Sequence, residues 1–88
     1  MNEELLIMKI KPEHYQYMKT EIAKLDINAI RLSILNSDKQ PKDFDKRMRW
    51  DCSYHAGLSR WISDNIYSYA NDDHIDTALK SIAKELGL

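Results

Sequence analysis

Apolar residues recur along most of the chain at spacings of three and four, the period of one face of an α-helix. Tyr15, Met18, Ile22 and Leu25 form the first such stripe, with Glu13, Lys19, Glu21 and Lys24 on the other faces. Pro12 opens it, because the N–H that proline lacks would be unpaired in a first helical turn. Ile27, Ile30 and Ile34 form a second stripe after Asp26, a good N-cap residue, so a break between two helices is expected there. The polar run Asn36-Ser37-Asp38-Lys39-Gln40-Pro41 reads as a loop. Beyond it, Phe44, Met48, Cys52, Ala56, Leu58, Ile62, Ile66 and Tyr69 trace a near-continuous helical face that Gly57 interrupts. A glycine inside a helix costs only about 1 kcal/mol, so the pattern admits one helix over about 42–68 or two helices turning at Gly57. In the last stripe Ile75, Leu79, Ile82 and Leu86 follow a cap at Asn71 or Asp72, with Ala78 and Ala83 beside them and Gly87 as the stop.

The expected fold is therefore all-α. It is a small bundle of three to four helices over about 12–25, 27–36, 42–68 and 72–86, in a single domain spanning residues 1–88. Residues 1–10 are expected to form an arm, flexible or packed on the body. Composition supports this reading, since two Gly, two Pro and no Val in 88 residues leave too few breakers for the frequent turns of a β-sandwich or barrel. With 43% apolar and 31% charged residues the balance is that of an ordinary globular domain. The core lies near the lower size limit for independent stability, which leaves a homodimer open. No apolar run approaches the roughly 18 residues of a membrane span. Glu3 and Glu4 stand where a secretory signal would be basic. A lone cysteine, Cys52, makes no internal disulfide, and a cytoplasmic location is expected.

Charge is uneven: residues 1–35 are neutral, 36–60 carry a net +2 and 61–88 a net −3. The middle third is locally basic, but the chain lacks the domain-wide positive charge of strong nucleic-acid binders. Candidate chemistry is sparse. Cys52, His55, Asp51 and His74-x-Asp76 offer metal-ligand types, but no second cysteine and no His-Glu-x-x-His pair provides the four ligands of a zinc site. Cys52 falls on the apolar stripe, where a thiol is inert, and the two glycines, thirty residues apart, form no phosphate loop. No enzymatic activity, metal or cofactor is expected.

Two binding readings remain. Cys52 to Ser59 resembles the middle of a helix-turn-helix, with a small residue four before Gly57 and an apolar residue, then Ser, after it. Arg60, Ser63 and Asn65 would face base edges, although Asp64 opposes and Ser63 occupies a position the motif fills with an apolar residue. The other reading rests on a window rich in Lys46, Arg47, Arg49, Trp50, Tyr54, Arg60, Trp61, Tyr67 and Tyr69. Trp, Tyr and Arg dominate protein-binding hot spots. Trp50 lies off the apolar stripe and is expected to be partly exposed, Trp61 to be core. The leading expectation is a protein partner contacted by Lys46, Arg47, Arg49, Trp50, Tyr54 and Arg60, the cations steering an acidic surface, with DNA as the alternative. On this view, alanine at Trp50 and Arg49 abolishes binding and leaves the fold intact.

The segments Arg49-Trp50-Asp51, Ala56-Gly57-Leu58 and Asn71 to Leu79 resemble small uncharacterised proteins of phages, prophages and plasmids, over roughly the C-terminal half. The resemblance implies a short accessory protein of a mobile element, acting without catalysis on a host machine such as a defence nuclease. It assigns no residue a role.

Overall fold

The structure, a computed structural model, describes residues 9–87. Among them are five α-helices and no strand: α1 Pro12–Ala23, α2 Ile27–Asp38, α3 Phe44–His55, α4 Leu58–Asn65 and α5 Asp72–Glu85. The all-α expectation holds, with more helices than the three to four expected. Residues 1–8 of the expected arm lie outside the described residues; Ile10, at its end, is buried in the core.

Local chemistry explains most of the boundaries. Pro12 sits in the first turn of α1, which stops two residues short of the expected Leu25. There the chain tightens, Lys24 N–H donating to the Glu21 carbonyl and Leu25 N–H to that of Ile22. Asp26 then caps α2 by accepting the Ala29 N–H at 3.2 Å. That helix runs through Asn36, Ser37 and Asp38, the start of the expected loop. Ser37 Oγ donates to the Ile34 carbonyl, and Lys39, left-handed at φ 47°, closes the turn onto the Leu35 carbonyl. Polar residues there mark a solvated last turn rather than a loop.

Residues 42–68 are two helices. Gly57 adopts φ +74°, the left-handed conformation that costs a residue with Cβ about 1–2 kcal/mol and glycine almost nothing. Its N–H donates to the Tyr54 carbonyl at 2.9 Å, and Leu58 starts α4 in a new direction. Helix α4 ends at Asn65, whose side-chain amide donates to the Trp61 carbonyl. Helix α5 has a reciprocal cap: Asn71 accepts the His74 N–H while His74 Nδ1 accepts the Asn71 N–H. Gly87, at φ +73°, follows its C-cap, Leu86.

Helix α3 is the hub, packing on α5, α2, α4 and α1. The core consists of Ile10, Met18, Ile22, Ile30, Ile34, Met48, Cys52, Leu58, Ile62, Ile66, Ala70, Ile75, Ala78, Leu79 and Ile82, residues from all five helices and two flanking segments. Every apolar stripe read from the sequence supplies part of it. Two tyrosine hydroxyls anchor α1. Tyr69 Oη accepts the Lys11 N–H (3.1 Å) and lies 2.8 Å from His14 Nδ1. Tyr15 Oη reaches Ser81 Oγ (2.9 Å) and the Glu85 carboxylate, which also pairs with Lys19. Trp61 packs against the core with His14 at its edge and Tyr17 against its ring, 4.5 Å between centroids. No buried side-chain polar atom lacks a partner among the described residues. No helix among them is long and apolar enough to cross a membrane.

Candidate functional site

At 100° per residue, Lys46, Trp50 and Tyr54 follow one another up one side of α3, opposite Phe44, Met48 and Cys52. The turn at Gly57 lays α4 across that side. Where the two helices diverge, a cleft of about 310 Å³ opens, lined by Trp50, Asp51, Ser53, Tyr54, Ser59, Ile62 and Tyr67. Its floor is formed by buried side chains. Ile62 belongs to the core, and buried Ser53, whose Oγ donates to the Trp50 carbonyl, is small enough to let the helices approach. Trp50 packs partly against the core, whereas Tyr54 is 69% and Tyr67 45% exposed. Large aromatics held half in water around a buried floor are primed to bury area at little entropic cost.

The cleft is not basic. Among its lining residues the charged side chain is Asp51, and Tyr67 donates its hydroxyl to Asp72. That hydrogen bond, helped by partial burial and the carboxylate's charge, pushes the Tyr67 phenol up to about 12. A raised pKa means the folded state holds the proton more tightly. Its contribution is therefore complete below the ordinary value of 10.0 and disappears as pH rises through about 12. Ultraviolet titration of the tyrosines should show an ionisation near pH 12 that Tyr67→Phe removes and Asp72→Asn returns towards 10. An unchanged titration in both variants would break the assignment.

Of the six residues singled out from sequence, the cleft gathers Trp50 and Tyr54. The arginines are engaged elsewhere. Arg49 points away from the cleft to α5, where its Nε and Nη2 donate to Asp76 Oδ1 and Oδ2 at 3.1 and 3.0 Å. Alanine at Trp50 and Arg49 therefore cannot be expected to leave the fold intact. Arg47 pairs with Asp38 across the α2–α3 link and lies 3.9 Å from Asp51. Arg60, on the exposed side of α4, stands 3.8 Å from Asp64. Lys46 is exposed and has no ion-pair partner among the described residues. Within the expected basic steering patch, Arg47, Arg49 and Arg60 each face a carboxylate, and Lys46 does not. Tyr67 was legible in the same aromatic window, but only the turn after α4 shows that it faces Tyr54's cleft.

The candidate ligand residues have structural roles. His55 Nδ1 donates to the Asp51 backbone carbonyl (3.0 Å), not to its carboxylate; His74 caps α5; Asp76 holds Arg49. Cys52 is buried, and desolvation, reinforced by Asp51 and opposed by Arg31, pushes its thiol up. No three His, Cys, Asp or Glu side chains converge into a metal-holding group among the described residues.

Comparison with protein-family models, with curated proteins and with solved structures finds no match to this chain.

Proposed function

We propose that this chain is a non-enzymatic helical protein-binding domain whose contact surface is the aromatic cleft at the α3–α4 break. One observation carries the reading: Tyr54 and Tyr67 stand substantially in water on either side of a concavity floored by Ile62, on a chain whose other large apolar side chains are mostly packed. Exposed tyrosines around a buried apolar floor are the composition of binding hot spots. On the resemblance of residues 49–51, 56–58 and 71–79, the chain is a mobile-element accessory factor. It works in the cytoplasm by occupying a surface of a host machine such as a defence nuclease. Because the cleft itself is uncharged apart from Asp51, apolar burial supplies the affinity and Lys46 at most accelerates encounter.

Tyr54→Ala is the clean test, since Tyr54 supports neither the core nor an ion pair. With the protein immobilised and host lysate cleared of nucleic acid by nuclease, the wild type retains a protein partner. Tyr54→Ala should bind it about 30-fold more weakly, the loss of a hot-spot residue worth about 2 kcal/mol, with the melting temperature unchanged. Equal affinity would remove the cleft from consideration.

Two observations favour a second reading, DNA binding. The Gly57 bend and buried Ser53 are what a helix-turn-helix requires where its helices cross. Against it, the exposed side of α4 pairs its one cation, Arg60, with Asp64. Salt-sensitive duplex binding in a mobility shift at two ionic strengths would revive this reading; no shift at low salt ends it.

A further inference from the structure

The composition of the aromatic cleft selects more than an apolar ligand. Trp50, Tyr54 and Tyr67 line it together with one carboxylate, Asp51. Trp61 is covered by Tyr17 and His14, but these three rings make no contact with one another among the described residues. Tyr54 meets the ring of His55 edge-on, and both tyrosines stand substantially in water. An aromatic face carries negative charge density that attracts a cation, more strongly where water is partly excluded. The chain itself brings no Lys or Arg over these rings. Among the described residues the cation lying over an aromatic ring is Lys11, on Tyr69.

The charges around the cleft favour the same ligand. The Asp51 side chain is 34% exposed, and its carboxylate accepts no hydrogen bond among the described residues. Arg47 approaches it only to 3.9 Å and is also paired with Asp38. Asp72 accepts the Tyr67 hydroxyl, which places a second negative charge beside that ring. Arg60, next to the lining residue Ser59, faces Asp64, and His55 turns Nδ1 onto the Asp51 backbone carbonyl. Lys46, one turn before Trp50, opposes a cation but does not line the cleft. Two carboxylates against one lysine leave the cleft negative, which is the wrong sign for the acidic partner expected from the sequence.

Of the two strongly basic side chains, arginine matches this lining better. Its guanidinium is planar and weakly hydrated, stacks on aromatic faces and carries paired N–H donors for a carboxylate. The lysine ammonium is a compact, strongly hydrated point charge. At about 310 Å³ the cleft is at the lower end of ligand-pocket sizes, which suits one inserted side chain.

We propose that the cleft receives an arginine side chain of the protein partner. Its guanidinium stacks among Trp50, Tyr54 and Tyr67, and its N–H groups donate to Asp51. This inference rests on the cleft being the contact surface and names what enters it.

The test is a titration of the full chain with N-acetyl-arginine methylamide, followed in proton–nitrogen correlation spectra. The citrulline analogue keeps the shape without the charge, and the lysine analogue keeps the charge without the plane. The arginine compound should shift the signals of Trp50, Tyr54 and Tyr67 with a Kd on the order of millimolar, and the citrulline analogue should bind about tenfold more weakly or worse. The lysine analogue should also bind more weakly than arginine, and arginine affinity should fall as salt rises. Asp51→Asn, neutral and of the same shape, should weaken arginine about tenfold while leaving the circular dichroism melt in place, because its pairing with Arg47 is a surface contact. Lys46→Ala should bind arginine at least as tightly as wild type. No shifts at about 50 mM arginine compound, equal binding of the citrulline or lysine analogue, or an unaffected Asp51→Asn would overturn the proposal. The comparison with citrulline uses the wild-type chain and so does not depend on any variant folding. The lysate partner separates this inference from the reading beneath it. A partner released by Tyr54→Ala but not by Asp51→Asn keeps the cleft and removes the arginine; a partner indifferent to both removes the cleft.

Discussion

Replacing Arg49 with Ala should destabilise the protein by about 2–3 kcal/mol, the cost of removing one partner of a largely desolvated, doubly hydrogen-bonded ion pair. For a domain of this size that lowers the melting temperature by about 10–20 °C. The side chains of Arg49 and Asp76 are only 14% and 24% exposed, and two parallel hydrogen bonds join α3 to α5. Alanine leaves the half-buried Asp76 carboxylate without its two guanidinium donors. Asp76→Ala should cost a similar amount, and the two losses should not add, because either removes the same interaction. The apolar exchange Arg49→Met/Asp76→Leu should recover most of the loss, since burial of the pair is itself expensive. Denaturant melts of wild type, the two single alanine variants and Arg49→Ala/Asp76→Ala give the coupling energy directly. If Arg49→Ala stays within about 0.5 kcal/mol of wild type, the pair is no more than a surface contact. Loss of partner binding in any Arg49 variant would report this instability before it reported an interface.

The second large effect is expected at Ile62. Helix α4 has eight residues, too few to hold a helical conformation alone in water. It is held by Leu58 and Ile62, with Ile66 at its C-cap, all almost fully buried. Ile62→Ala should cost about 3 kcal/mol in lost transfer energy and residual cavity. The loss should be local before it is global: amide exchange of residues 58–66 should accelerate well beyond that of α5. Because Ile62 also floors the cleft, the same variant should lose the Tyr54-dependent partner. Uniform acceleration across all helices would show that α4 has no separate opening.

How far the fold was legible in the sequence depends on which interaction decides each feature. Spacing of apolar residues is a local property, and Met18, Ile22, Ile30, Ile34, Ile62, Ile66, Ile75, Leu79 and Ile82 are buried as their periodicity implies. Capping is local too, and Asp26 and Asn71 both accept the expected N–H groups. The break at 57 could be posed but not settled, because a mid-helix glycine and a turn glycine differ only in φ, which the packing of Leu58 and Ile62 determines. The pairings of Arg47 and Arg49 are hidden for the opposite reason. Their partners, Asp38 and Asp76, lie nine and twenty-seven residues away on other helices, and no pattern in the sequence indicates that they meet. The cleft is likewise tertiary, since Tyr67 comes to it through the turn after α4.

The ties of α1 to α5 have a kinetic consequence. Tyr15 meets Ser81 and Glu85, and Lys19 meets Glu85, across separations of 66 to 70 residues in a chain of 88. Nearly the whole chain must be organised before these contacts can close, whereas α3 and α4 are neighbours in sequence and meet through two residues. Loop-closure entropy should therefore order assembly, the pair flanking Gly57 and its contact with α5 forming early and α1 docking last. The last element to dock is also the first to leave. Weakening its tyrosine anchors should therefore speed unfolding while leaving the folding rate nearly untouched.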